Sequence, residues 1–249
     1  MTTTLFPIPL PLETHSPGKI ILLSPRDAER TMRAVEHVTV MMLDPWYNKG
    51  VGGTRPDYFQ WLSGILSLAS SRADHVFLWG FPEIIWRVLP DAPATMQFTS
   101  WLTWYFKNCP SVIRGWRSAQ MACLHFAKPG AKIYPEHFLN EAQISRKNNG
   151  KLRYMPGPAT VIEAPLNIGF VGRNEQTGHP AQKPEIVIEW LLRMVTIPGD
   201  TVCDPFCGSG TTGAVCARLH LDAVLGDHDE EYTKLVERRL GIKARRNMP

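Results

Sequence analysis

The sequence predicts an α/β protein built on a mostly parallel sheet, and three observations carry that expectation. Short apolar runs of β character alternate with amphipathic helical stretches over much of the chain. With 249 residues and 44% hydrophobic content, the chain can bury one large core. Two apolar runs stop at an acid followed by proline, D-P-W-Y at 44–47 and D-P-F-C at 204–207, and strand carboxyl ends are where open α/β sheets bind ligands.

The elements follow in order. Pro7, Pro9, Pro11 and Pro17 make residues 1–18 an extended arm, because each proline fixes φ and lacks an amide donor. Regular structure begins after Gly18, with strands expected over 19–23, 38–43 and 75–79 and helices over 27–35, 57–71 and 82–89. Strands over 100–106 and 119–127 form a hairpin-like pair, joined by the Pro- and Gly-bearing NCPSVIRGWRS. Trp104 and Phe106 in the first of these read as core aromatics.

From 128 to 178 the character changes. Pro and Gly recur and no long period persists, so this stretch reads as an inserted functional segment of the domain that spans 19–249. Its run SRKNNGKLRY holds Arg146, Lys147, Lys151 and Arg153 with no acid, and these four are candidate nucleic-acid phosphate contacts. The α/β rhythm returns with a helix over 185–196, whose Glu185, Glu189 and Arg193 share one narrow stripe. A strand over 201–203, a helix from about 210, a strand over 222–226 and a helix over 229–240 complete the chain. Asp229, Glu230 and Glu231 open the last helix, Arg238 and Arg239 close it, and Gly241 stops it.

Composition narrows the classes. No apolar run reaches the roughly 18 to 20 residues that span a bilayer, and the N-terminus lacks a basic start followed by an apolar core. The expectation is a cytoplasmic protein without a membrane partner. The five cysteines are odd in number and scattered, which argues against a disulfide framework, and Cys203 and Cys207 have no second pair with which to bind zinc. No metal is expected. Lys plus Arg outnumber Asp plus Glu by 27 to 23, which permits a polyanionic partner.

The most informative stretch is DTVCDPFCGSGTTGAVCARL, 200–219. A short strand delivers Asp204, Pro205 and Phe206. Gly208, Ser209 and Gly210 then let backbone approach a ligand closely, and Thr211 and Thr212 start a helix whose N-terminal amides face it. The next strand ends at Asp227, about twenty residues on, where an acid can accept hydrogen bonds from the two hydroxyls of a ribose. Neither the dinucleotide glycine pattern nor the phosphate loop is present, so a nucleoside ligand without a pyrophosphate fits best. Asp27 reads either as a helix cap or as a contact to that ligand.

DPFCGSGTT preceded by HPAQKPEIVIEWL, with DPWY upstream, closely resembles the S-adenosylmethionine-dependent amino-methyltransferases that methylate exocyclic amines of DNA bases. The resemblance covers roughly 19–240, in the motif order of the family's β group. It implies a Rossmann-like sheet of seven strands, one of them antiparallel, with both motifs at neighbouring strand ends and a target-recognition insert between them. It implies S-adenosylmethionine as cofactor, with His179, Gln182 and Lys183 lining its methionine end. It implies that the Asp44 carboxylate and the Pro45 carbonyl accept the two N–H bonds of the target amine, with Tyr47 stacking on a base turned out of the helix.

Double-stranded DNA is the expected partner, with RNA, a homodimer or a partner subunit left open. Trp46 departs from the family, which usually has a second proline there. In the resembling family cytosine-N4 enzymes more often carry Ser at the motif's first position, so the resemblance implies adenine N6 for Asp44, with N4-cytosine methylation or a catalytically silent partner subunit as the alternative.

Overall fold

A computed structural model describes residues 16–49, 53–109 and 115–247. Residues 1–15 of the expected arm lie outside the described residues. Eight strands form one sheet in the order β1-β8-β7-β2-β3-β5-β4-β6: β1 Ile20–Leu22, β2 Val38–Leu43, β3 Ala73–Gly80, β4 Gln97–Tyr105, β5 Gln120–Ala127, β6 Val161–Glu163, β7 Thr201–Asp204 and β8 Asp222–Leu225. Among the described residues only β5 runs against the rest, pairing antiparallel with both β3 and β4, while the other pairings are parallel. The single antiparallel strand is as expected; the count of seven is corrected to eight. The extra strand, β6, is a three-residue edge contributed by the insert, pairing Val161–Glu163 with Thr103–Tyr105.

Side chains alternate across the pleat, so each central strand feeds two cores. Val40 and Met42 of β2 face one side with Phe77 of β3, against α5 Glu185–Val195, α6 Thr211–Arg218 and α7 Glu230–Leu240. Met41 and Leu43 face the other side, against α1 Ala28–Arg33, α2 Tyr58–Arg72 and α3 Pro82–Ile85. The helix expected over 82–89 is a single α turn that tightens into a 3-10 turn over Trp86–Asp91, because Pro90 has no amide to extend the ladder. Trp104 and Phe106 are core residues, and the Trp104 indole donates to Ala164 O at 2.7 Å.

The polar stripe of α5 is enclosed. Glu189 and Arg193 are buried, with Arg193 Nε 2.8 Å from Glu189 Oε1. Arg218 of α6 bonds Glu189 at 2.6 Å and also pairs with Glu185, and Arg239 of α7 reaches Glu185 at 2.8 Å. Alternating charges thus let three helices pack over groups that would be costly to bury alone.

The insert begins at the amino ends of the parallel strands. Lys128 N donates to Asp74 O, Tyr134 N to Met194 O, and Phe138 packs on Trp190 at 5.0 Å between ring centroids. A helix that the composition hid follows, α4 Glu141–Asn148, opened by a capping box between Asn140 and Gln143. It buries none of its residues. Arg146 and Lys147 sit in its last turn, Lys151 and Arg153 follow it, and all four are exposed. β6 then carries the chain to the carboxyl ends of the strands. Among the described residues no helix is long and apolar enough to cross a membrane, and all five cysteines are buried and unpaired.

Candidate active site

β2 and β7 are neighbours, with Met41 registered on Cys203, so Asp44 and Asp204 emerge from adjacent strand ends although 160 positions separate them in the chain. The apolar run of β2 ends at Asp44 because the carboxylate meets a cleft there. Asp44 Oδ1 accepts from the Tyr47 hydroxyl at 3.2 Å, and Oδ2 pairs with Lys183 Nζ. The same ammonium lies 3.3 Å from the Tyr47 oxygen and 5.0 Å from the centroid of the Trp79 ring. Lys183 is 4% exposed, and its carbonyl accepts from Thr211 Oγ1 at 3.1 Å. Burial first, then the Asp44 charge, push the Tyr47 hydroxyl well above its ordinary range, so it acts as a neutral donor.

Trp46 turns away from these groups. Its carbonyl accepts from the Tyr58 hydroxyl at 2.6 Å, and its ring packs 4.7 Å from Trp61 and 5.5 Å from Tyr58 on α2. Trp61 in turn meets Phe206 at 6.1 Å and donates its indole N–H to Glu29 at 2.9 Å. The turn closes at Asn48, whose φ of 52° suits asparagine's tolerance of the left-handed region. Its side chain brackets Arg55, accepting from the amide at 2.6 Å and donating to the carbonyl at 3.2 Å.

The second wall is the glycine loop. Gly208 and Gly210 take φ of 45° and 76°, and a Cβ on Gly208 would sit 3.0 Å from His179 Nε2, so only glycine is unstrained there. Asp227 is buried, with Oδ2 accepting from Gly208 N at 2.9 Å and Oδ1 from Asp229 N at 3.0 Å. Asp204 accepts from Phe206 N at 3.0 Å and from Thr212 Oγ1 at 2.5 Å, and burial raises its carboxyl to about 7. Arg239 braces the loop from α7, donating to Ser209 O at 2.9 Å and Thr211 Oγ1 at 3.1 Å.

Between these walls lies a cleft of about 700 Å³ whose lining includes Asp27, Asp44, Pro45, Trp46, Tyr47, His179, Lys183, Asp204, Pro205, Phe206, Gly208, Ser209, Thr211, Thr212 and Asp227. A family model described as DNA methylase matches residues 38–238. This chain belongs to the DNA methylase family. The Type II methyltransferase M.HpaI of Haemophilus parainfluenzae is 28% identical to this methylase over 221 residues, 82% of this chain and 68% of that protein. The DNA adenine methyltransferase YhdJ of Escherichia coli strain K12 is 39% identical over 69 residues, 28% of this chain and 24% of its own. Among solved structures, the M1.HpyAVI complex with SAM superposes with a TM-score of 0.66 at 21% identity, covering 90% of this chain and all of that one. The cytosine-N4-specific PvuII DNA methyltransferase does so at 0.64 and 16%, covering 91% and 87%; at such identities the likeness is one of fold.

The cofactor of the methylase family is S-adenosylmethionine, and the cleft of this methylase fits it. A glycine loop too tight for a Cβ, helix amides behind it and a buried acid one strand away suit a nucleoside with an amino-acid tail. Asp27 both caps α1, accepting from Arg30 N at 2.8 Å, and lines the cleft. Gln182 departs from expectation: it is absent from the lining, and its amide holds the preceding loop through Thr177 N at 3.0 Å and Glu175 O at 2.6 Å. Gly210 supports the loop from beneath, against Val236. Arg146, Lys147, Lys151 and Arg153 do not line the cleft. Sequence reasoning missed the bracing by Arg239 and the aromatic wall of Tyr58 and Trp61, for which no local motif exists.

Proposed function

We propose that this methylase transfers a methyl group from S-adenosylmethionine to the N6 amine of adenine in double-stranded DNA, acting on a base turned out of the helix. The observation that carries the reading is the Asp44 carboxylate, held by Lys183 and Tyr47 at a cleft whose other wall is the glycine loop. An exocyclic amine is a weak nucleophile because its lone pair is delocalised into the ring. Asp44 and the Pro45 carbonyl can accept its two N–H bonds, favouring a tetrahedral nitrogen and stabilising the positive charge that grows on it. When bound, the cofactor supplies the electrophilic methyl group. Lys183 and the Tyr47 hydroxyl hold the carboxylate in one orientation, worth about 1 to 3 kcal/mol of the barrier if losing an orienting group has its usual 10- to 100-fold cost. The Tyr47 ring, 4.8 Å from Phe81, offers the base a stacking surface.

Adenine is favoured by Asp at position 44 and by the similarity to YhdJ. His179, Lys183, the 204–212 loop and Asp227 hold the cofactor. Arg146, Lys147, Lys151 and Arg153 contact phosphates: changing two of them to Ala lowers the slope of log affinity against log salt by up to about two, and an unchanged slope removes them from the interface. Two substitutions separate the halves of the site. Asp44→Ala lowers turnover by orders of magnitude and keeps cofactor affinity, whereas Asp227→Ala weakens cofactor binding first, as read by tritiated methyl transfer and calorimetry. Normal turnover in Asp44→Ala overturns the mechanism.

A further inference from the structure

An exposed phenylalanine stands on a loop that is built to hold it out. Phe170 is 89% exposed, between Gly169 and Gly172 at φ of 60° and 63°. The Gln176 amide donates to the carbonyls on either side of it, Gly169 O at 3.1 Å and Val171 O at 2.7 Å. Both feet of the loop are pinned. Asn108, just beyond β4, bonds Leu166 through both backbone groups, at 2.8 and 2.9 Å. Glu175 accepts from Asn167 at 3.2 Å and from the Glu185 amide at 3.0 Å, two residues from the lysine that grips Asp44. Ile168 and Val171 beside it are exposed as well, at 44% and 37%, so the braced loop presents three exposed apolar side chains within four residues, and such a patch calls for an occupant where one scattered side chain would not.

The loop rises at the carboxyl ends of the strands, as Asp44 does. The exposed cation Arg173 lies on it, and Arg117 is exposed in the β4–β5 connection at that same end. An aromatic ring accompanied by cations suits a polyanion with stackable faces. Turning a base out of a duplex leaves a gap that the cleft side chains, which receive the base, do not fill. We propose that Phe170 enters the base stack of duplex DNA in place of the departed base. The proposal rests on the DNA-methylation reading above and adds to it the residue that keeps the duplex open.

The test compares Phe170→Ala and Phe170→Leu with the wild-type chain on two duplexes carrying the mapped target site. In one the target base is paired; in the other it faces an abasic position and leaves the stack readily. Phe170→Ala is expected to lower kcat/KM on the paired duplex about tenfold or more and on the abasic duplex by less than about twofold, since unstacking is then cheap. Phe170→Leu retains most activity on both. A 2-aminopurine at the target position brightens less with Phe170→Ala than with wild type. Equal activity of Phe170→Ala and wild type on the paired duplex overturns the wedge, as does an equal loss on both duplexes. Failure of the wild-type chain to methylate any DNA overturns the functional reading and the wedge together, and so is distinct from failure of the wedge alone.

Discussion

Asp44 is gripped from two sides, and at the scale of single residues the grip itself can be tested. Lys183 donates to one carboxylate oxygen and Tyr47 to the other, so the acid cannot rotate without breaking one bond. Lys183→Met puts an apolar thioether where the ammonium lay 5.0 Å from the Trp79 ring centroid and removes the charge and donor that face Asp44. Turnover is expected to fall about 10- to 100-fold, the usual cost of losing a group that orients a functional side chain, with a smaller change in KM for DNA. Single-turnover methyl transfer under saturating cofactor reads this directly, and an unchanged rate contradicts the orienting role. Trp46 shows how a departure from a family pattern is absorbed. Its carbonyl is held by the Tyr58 hydroxyl and its ring joins Tyr58 and Trp61 on α2, away from Asp44 and Tyr47.

At the scale of elements, β3 and β5 meet through a buried pair of histidines. His75 Nδ1 lies 3.1 Å from His125 Nε2, and His75 Nε2 reaches Lys132 O at 3.0 Å, tying the start of the insert to the sheet. Burial, with a further push from His75, takes His125 down to about 3. The native pair therefore refuses a proton that an unfolded histidine accepts near 6.5. This contribution to stability is fully present above about pH 6.5 and is lost as pH falls toward 3, by a few kcal/mol in order of magnitude. Asp204, raised to about 7 by burial, acts in the opposite sense, losing stability as pH rises through that range, but it is common to both proteins compared. Urea unfolding of wild type and His125→Gln between pH 7 and 4 is expected to show a shallower acid decline in the variant. Parallel declines contradict the assignment.

The same scale shows what could be read in advance. β2 matched its expected bounds because an apolar run broken only by Thr39 ends at a carboxylate, and α7 began and ended where its acids, arginines and Gly241 placed it. α4 escaped because it buries nothing and so has no apolar period; its Asn140–Gln143 capping box was the available signal. β6 escaped because three edge residues carry no alternation. Gln182 was read from its motif as a cofactor contact, yet its amide is consumed by Glu175 and Thr177. Arg239 was legible as a helix end but not as a brace, since its partners Glu185 and Ser209 lie 54 and 30 positions away.

At the scale of the whole molecule, chain order and spatial order diverge. Asp44 comes from the first third of the chain and the glycine loop from the last, and sheet order makes β2 and β7 neighbours. The insert between them starts at the far end of the sheet and returns through β6 to the Phe170 loop and the His179–Lys183 segment, so a single excursion links the exposed rim to Asp44. The cytosine-N4-specific PvuII methyltransferase shares the fold, so the fold by itself does not select the base. Mass spectrometry of nucleosides from unmethylated DNA treated with this methylase and S-adenosylmethionine is the most direct measurement. N6-methyladenine that appears with the wild-type chain and not with Asp44→Ala is the predicted result; N4-methylcytosine, or no methylated nucleoside despite bound cofactor, would contradict it.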